Sequence, residues 1–364
     1  MQLVRRVVAL LMAMLAGLVL LAPTASAHAV SGAGASNFRT TLTALEPHVP
    51  GLELRVIEAG SRLELTNRTG RDVLVKGYTG EPYLRVGPDG VFTNRRSSAT
   101  YLNATRNGTS TFPPGVDDNA APVWDRLSSG QVARWHDHRT HWMGGALPPN
   151  IRQHPDQRQV VGSPWSVELL QGDAKVVATG TLEWVPPPSS LPWLAVATVI
   201  AIVTALLAAR PRAWRVTALL LGALVVVEVV HAAGLADVIA GSLATKVSRT
   251  ASANVASILA WLLAALAIRL LMRRRDPGRQ LGVFAAMIML IVGGIFDLAY
   301  LSKAVLPFGF TESVGRAVVA ATLGLGSGLV VGWLLVLVLP AVRPPRHHPA
   351  APATTGAATS TTAA

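Results

Sequence analysis

The chain contains no cysteine among its 364 residues. That absence excludes disulfides, thiolate metal sites and attachment to lipid through a cysteine. Any metal ion must therefore be held by histidine, methionine, carboxylate or backbone ligands. Charged residues are also scarce, at 14%, whereas hydrophobic residues make up 51% of the chain. This composition predicts membrane-spanning segments beside a water-exposed part.

Acidic residues are fewer than basic ones, which leaves a formal net charge of +12. Much of the positive charge lies in short arginine clusters beside apolar runs, where it sets membrane orientation. We therefore expect no nucleic-acid partner. The chain also has no H-E-x-x-H, G-x-S-x-G or P-loop motif. We predict a protein that is not an enzyme, with a zinc-dependent envelope enzyme as a distant alternative.

The first 27 residues have the pattern of a secretory signal peptide. Arg5 and Arg6 precede an apolar run at residues 7–22, and Ala-Ser-Ala at residues 25–27 is a cleavage motif. Cleavage there makes His28 the first residue of the mature protein, where its imidazole and the free α-amino group can chelate Cu(II) together. An uncleaved first membrane helix is the alternative.

Residues 28–188 differ from the rest of the chain in composition and are predicted to form one domain. Short alternating segments, such as residues 52–57 and 73–78, are separated by glycine, proline and asparagine. This pattern is typical of antiparallel strands joined by turns. It predicts an extracytoplasmic all-β sandwich, immunoglobulin-like or cupredoxin-like.

Residues 135–143, the histidine segment, concentrate metal-ligand side chains. Their sequence, Trp-His-Asp-His-Arg-Thr-His-Trp-Met, supplies three imidazoles, a carboxylate and a thioether. Imidazole suits copper and zinc, and thioether suits Cu(I). If residues 135–139 are extended, His136 and His138 project from one face, with His141 in the following turn and Asp137 orienting a ligand. A structural loop anchored by its tryptophans is the alternative. The predicted metal ligands are His136, His138, His141, His28, Asp137 and Met143.

After residue 188 the chain becomes predominantly apolar. Residues 189–341 are predicted to hold five spans that approach or exceed the ~20 residues needed to cross a bilayer. Arginine clusters at residues 210–215 and 273–279 share one side with the C-terminal tail, which the positive-inside rule assigns to the cytoplasm. The tail, residues 342–364, is predicted to be disordered. The predicted spans are about residues 193–209, 216–233, 251–272, 281–301 and 314–340.

Few ionisable residues lie within these spans. Glu228 and His231 are three positions apart and share a helix face. Asp297, in the fourth span, is predicted to lie at a similar depth. Ionisable residues within a membrane are functional candidates by default, and these three form the predicted membrane polar site. An ion pair with Arg316 that merely locks the bundle is the alternative.

Gly324, Gly328 and Gly332 recur every four residues in the last span. Such a strip lets another helix approach closely. The partner is either a helix of the same bundle or a second copy of the chain, and a homo-oligomer is one expectation.

Three segments carry a resemblance to known proteins. Residues 80–86 (Gly-Glu-Pro-Tyr-Leu-Arg-Val), 101–103 (Tyr-Leu-Asn) and 135–143 resemble those of actinobacterial exported multi-span membrane proteins. In general plan and in His28, the chain is more distantly similar to the copper-resistance proteins CopC and CopD. In those, a periplasmic β-sandwich that begins with a metal-binding histidine accompanies a helical membrane partner. The domain is longer here and the spans are fewer. The similarity implies copper transport.

Two functions remain open from the sequence. The first is a membrane-anchored extracytoplasmic protein that binds copper, with zinc as the alternative metal, and passes the ion toward Glu228 and His231. The second is a structural or interaction module of the cell envelope, which binds a protein partner and no metal. Both place the chain in the cytoplasmic membrane, in contact with the lipid bilayer.

Overall fold

The computed structural model describes residues 34–108, 111–210 and 212–342, with side chains as far as residue 336. The predicted signal peptide, His28 and the tail beyond residue 342 lie outside these residues. Within them, antiparallel β-sheets come first and helices follow. The predicted order of a β part and a helical part is thereby confirmed.

The β part contains eleven strands in the portion of the chain that is described. They are β1 (Phe38–Glu46), β2 (Leu52–Ile57), β3 (Arg62–Asn67), β4 (Val73–Lys76), β5 (Pro82–Gly87), β6 (Gly90–Asn94), β7 (Trp124–Ser128), β8 (Val132–Trp135), β9 (Gln159–Val160), β10 (Trp165–Gln171) and β11 (Ala174–Trp184). The larger sheet has the order β1-β11-β10-β4-β5-β6-β7, with β9 beside β11, and the smaller sheet is β2-β3-β8. Short helices α1 (Ser98–Leu102) and α2 (Pro149–Gln153) lie in the loops.

The hydrophobic core of the β part lies between the two sheets. Alternate side chains of β10, Val167 and Leu169, are fully buried from the larger sheet, and Leu63 and Leu65 of β3 are fully buried from the smaller one. Period-two alternation in the sequence thus decides which face of each strand is covered.

The helical part contains five helices that are long and apolar enough to cross a membrane, counted over the described residues. They occupy Leu191–Ala208, Trp214–Asp237, Val255–Met272, Pro277–Ser302 and Glu312–Val336. We label the α-helices α3 (Leu191–Ala208), α4 (Trp214–Asp237), α5 (Leu243–Ala253), α6 (Val255–Met272), α7 (Pro277–Met289) and α8 (Glu312–Val342). The prediction of five apolar spans is confirmed, although residues 251–253 belong to the separate helix α5.

The fourth span is not one regular helix. α7 continues into a π-helical segment, Leu290–Ile295, and then into a 3-10 helix, Leu298–Ser302. π-Helical turns are rare and frequently lie at functional sites. This one contains the Gly293-Gly294 pair, whose missing Cβ atoms let side chains of α4 and α8 approach its backbone.

The glycine strip of the last span packs against α3 within the same chain. A Cβ on Gly324 would lie 2.8 Å from the Ala197 carbonyl oxygen, and one on Gly328 would lie 2.6 Å from that of Ala201. Small residues therefore bring the backbones of α3 and α8 together, as membrane helix packing requires. The glycine strip is therefore covered by a helix of the same chain. Formation of a homo-oligomer stays a prediction.

The β part contacts one end of the bundle through the start of β1. Ser36 forms a two-way backbone bridge with Val305, its amide donating to the Val305 oxygen over 2.9 Å. The Ala304 amide donates to Asn37 Oδ1 over 2.9 Å. Arg39 pairs with Glu312 at the beginning of α8, 2.8 Å away. The loop between the fourth and fifth spans is thus attached to the β domain.

Candidate functional site

The histidine segment begins where β8 ends, at Trp135. Turns follow, so the condition of an extended chain as far as Arg139, on which His136 and His138 would share a face, is not met. The cause is Asp137, whose carboxylate accepts the Arg139 amide over 3.1 Å and whose carbonyl accepts the Thr140 amide over 3.0 Å. Aspartate side chains commonly compete with a strand in this way.

Asp137 is fully buried and belongs to a structural network. Its carboxylate accepts hydrogen bonds from Trp135 Nε1 (3.0 Å) and from Arg139 Nε and Nη2 (2.8 Å each). The Arg139 guanidinium also lies 5.0 Å from the Tyr78 ring centre. Burial lowers the pKa of Arg139, but its hydrogen bonds to Asp137 outweigh burial and leave that pKa above its ordinary value. The carboxylate is therefore saturated by Trp135 and Arg139 rather than orienting an imidazole.

His136 has both ring nitrogens engaged. Its Nδ1 lies 2.8 Å from the Ser61 carbonyl oxygen, so Nδ1 carries the proton and donates it. Arg62 Nε donates to Nε2 over 3.2 Å. Burial lowers the pKa of His136 to about 4, with Arg62 acting in the same direction. His136 is consequently a neutral imidazole without a free lone pair for a cation.

His138 and His141 are arranged differently. Their Nε2 atoms lie 3.3 Å from the Thr105 oxygen and 3.0 Å from the Arg106 oxygen, so each Nε2–H donates to a backbone carbonyl. Neither Nδ1 has a hydrogen bond within the described residues, and the ring centres are 5.4 Å apart. Metal-bound imidazoles usually have their second nitrogen held by such a carbonyl. Burial also lowers the pKa of His141, which keeps it neutral.

The remaining predicted ligands of the β domain do not join this pair. Met143 is 42% exposed, and Asp137 faces Arg139. Over the described residues, no three His, Asp or Glu side chains come close enough together to enclose a metal ion. The histidine segment thus offers one pair of imidazoles rather than a closed set of ligands.

The membrane polar site brings three residues together from two spans. His231 Nε2, on α4, lies 3.1 Å from Asp297 Oδ2, at the end of the π-helical segment. Glu228, one turn before His231, accepts a hydrogen bond from Thr322 Oγ1 of α8 over 2.8 Å. All four residues are at most 4% exposed. We call Glu228, His231 and Asp297 the membrane triad.

Two contacts that shape the triad were not identified from the sequence. A Cβ on Gly293 would overlap the Glu228 carboxylate, so glycine is needed for their close approach. Phe308, from the loop attached to the β domain, packs edge-to-face on the His231 ring with centres 5.3 Å apart. The Gly293-Gly294 pair is the sequence feature from which the contact with Glu228 could have been predicted. No local sequence pattern indicates the contact between Phe308 and His231. Arg316, considered earlier as a partner, donates instead to the Lys303 carbonyl.

We compared the chain with protein families, curated proteins and solved structures. No family model, no curated protein and no solved structure matches the chain.

Proposed function

We propose that this chain is a membrane protein that handles a metal cation, with copper the first metal to test and zinc the second. The β domain is proposed to lie on the extracytoplasmic side of the cytoplasmic membrane. The observation that supports the proposal most is the buried contact between His231 and Asp297, with Glu228 one turn away. Ionisable groups in a bilayer are costly and usually mark ion or proton pathways.

The donor set suits copper or zinc. Imidazole nitrogen and carboxylate oxygen both ligate these ions at about 2.0–2.2 Å, which places two tetrahedral ligand atoms about 3.3 Å apart. His231 Nε2 and Asp297 Oδ2 are 3.1 Å apart, so this pair can share one ion with little movement. A bound ion supplies charge to offset the Asp297 carboxylate, and Glu228, which accepts from Thr322, lies one turn from His231 and adds negative charge nearby rather than a third ligand.

The β domain would supply the first binding step. His138 and His141 present Nδ1 lone pairs from carbonyl-held rings, and His28 stays a predicted ligand outside the described residues. The loop at residues 303–311 connects this domain to the triad, because Val305 pairs with Ser36 and Phe308 covers His231. We propose that this loop controls access to the triad from the β-domain side.

Equilibrium binding of Cu(II), Cu(I) and Zn(II) to the full-length protein in detergent tests the proposal. We expect His231→Gln to weaken binding at the triad at least tenfold, and His138→Gln with His141→Gln to remove a second site. His154→Gln is the matched control, because His154 is exposed and belongs to neither site. Metal binding that is absent from the native chain, or unchanged in both variants, would overturn the proposal.

A structural or interaction module of the envelope is the second candidate, and the saturated network around Asp137 favours it. In that case the histidine segment shapes a surface for a protein partner. His138→Gln with His141→Gln would then lower the unfolding temperature equally with and without copper. Under metal binding, copper raises the unfolding temperature of the native chain more than that of the variant.

A further inference from the structure

Two cavities adjoin at the end of the bundle that faces the β domain. The first, of about 340 Å³, lies between the smaller sheet and the end of α4. The second, of about 530 Å³, lies among α4, α5 and α6. Asp237 and Lys246 line both, and Lys246 Nζ donates to the Asp237 carbonyl oxygen over 2.9 Å where the cavities adjoin. We call the two adjoining cavities the recess. Each volume falls within the range of small-molecule sites.

The first cavity is cationic. Four basic side chains and two carboxylates line it, a net charge of +2: Arg55, Arg68, Arg134 and Lys246 against Glu64 and Asp237. Glu64 is paired with both Arg55 and Arg134. Burial raises the pKa of Glu64, but the hydrogen bonds from these arginines outweigh burial and leave it below the ordinary value. Arg68 remains exposed and has no side-chain partner in the described part of the chain.

The second cavity is apolar and opens at the level of α5. Its walls include Val229, Ala233, Leu243, Val247, Ile258 and Trp261. α5 has no buried residue, and its Leu243 and Val247 are 77% and 59% exposed. A helix of this kind lies at a membrane surface with its apolar side chains toward the acyl region.

Two buried polar atoms in the apolar cavity lack partners. Neither Thr250 Oγ1 nor Trp261 Nε1 has a hydrogen bond within the described residues, although both residues line the cavity. A buried donor without an acceptor costs free energy, and a ligand carrying carbonyl oxygens would satisfy both. The recess thus combines a cationic end, two free donors and an apolar groove.

We propose that this recess binds one anionic membrane lipid, with its phosphate in the cationic cavity and an acyl chain in the apolar groove. Trp261 Nε1 and the Thr250 hydroxyl donate to its ester carbonyls. Lys246, at the junction of the two cavities, keeps its hydrogen bond to the Asp237 carbonyl and donates a further one to the phosphate. The lipid belongs to the leaflet on the β-domain side, and its binding does not depend on the metal function.

Fluorescence quenching by brominated lipids in vesicles tests this. The full-length protein is reconstituted in phosphatidylcholine with a small fraction of phosphatidylglycerol brominated in its acyl chains, or of equally brominated phosphatidylcholine. The signal of Trp261 is the difference between the native chain and Trp261→Phe. We expect an association constant about tenfold higher for the anionic lipid.

Arg68→Gln with Lys246→Gln should abolish the preference, whereas Arg71→Gln with Lys175→Gln, which removes equal charge outside the recess, should keep it. Native mass spectrometry of the purified chain, expected to show one retained phosphatidylglycerol, gives a second measurement that does not use Trp261. Equal quenching by both lipids with no retained lipid would overturn the proposal. So would loss of the preference on adding inorganic phosphate, because that result assigns the cavity to a soluble anion.

Discussion

The two polar clusters of this protein differ in how completely their groups are satisfied. In the β domain, the Asp137 carboxylate accepts four hydrogen bonds from Trp135 and Arg139. In the bundle, within the described residues, the Glu228 carboxylate accepts one, from Thr322, and Asp297 Oδ2 lies 3.1 Å from His231 Nε2 without a hydrogen bond to either atom. A saturated network stabilises a fold, whereas buried polar groups with few partners are costly unless a bound ion or water satisfies them.

The largest expected effect comes from breaking the saturated cluster. Asp137→Ala leaves the largely buried Arg139 guanidinium, whose side chain is 21% exposed, without its carboxylate. We expect a loss of about 3–5 kcal/mol in the free energy of unfolding. Denaturant titration of the full-length protein, followed by tryptophan fluorescence, measures it. Asp125→Ala, at an exposed carboxylate on β7, is the control and should change stability by less than about 0.5 kcal/mol. Equal losses of stability in Asp137→Ala and Asp125→Ala would show that the hydrogen bonds of Asp137 do not stabilise the fold.

Sequence reasoning located both clusters but not their internal geometry. Local alternation and apolar length are properties of the chain itself, so the β order and the five spans followed from them. The strand ends at Trp135 because donors from Arg139 reach the Asp137 carboxylate. Which donors reach it is decided only in the folded chain. In the same way, Thr322 and Phe308 reach the triad through tertiary packing, which no spacing in the sequence reports.

The next prediction concerns the stability of the bundle, which we expect to depend on close helix packing more than on polar contacts. A Cβ at Gly328 meets the Ala201 carbonyl oxygen at 2.6 Å, a backbone atom that cannot rotate away. Gly328→Ala should therefore cost about 1–3 kcal/mol, seen as a lower unfolding temperature in detergent. Gly222→Ala in α4 is the control, since its nearest neighbour would be 3.9 Å away. A neutral Gly328→Ala would contradict the close α3–α8 contact.

A smaller effect concerns Glu58, a buried carboxylate of the β domain with a positive φ of 53°. Burial raises its pKa from 4.5 despite the opposing charges of Arg62, Arg249 and Arg134, with Glu64 adding to the rise. The folded state then holds the proton more tightly than the unfolded state. Stability should therefore fall as pH rises from about 4.5 through the folded pKa.

Glu58→Gln should remove this part of the pH dependence and leave the variant more stable than the native chain at pH 7. Unfolding curves collected between pH 4 and pH 8 provide the measurement. Glu53→Gln, at an exposed carboxylate on β2, should retain the native slope. A slope that is unchanged in Glu58→Gln would show that another group is responsible.

The smallest expected change in stability is at the membrane triad. His231→Phe with Asp297→Leu replaces a buried ionisable pair with apolar side chains, which is commonly neutral or stabilising. We expect the free energy of unfolding to stay within about 1 kcal/mol of the native value, while copper binding at the triad is lost. Asp297→Leu alone should be worse, because it leaves His231 unpaired. A double variant as unstable as Asp137→Ala would make the triad structural as well.

The attachment of β1 to the loop of the bundle has a mechanical consequence. β11, the neighbour of β1, pairs Trp184 with Phe38 and leads into α3 after a few residues. The β domain is therefore joined to the bundle both covalently, after β11, and through the contacts of Ser36, Asn37 and Arg39 with residues between Ala304 and Glu312. Two connections restrict rotation of the β domain relative to the bundle more than a single linker would. We therefore expect a displacement of the β domain to act on the loop at Val305, three residues from the Phe308 ring that packs on His231.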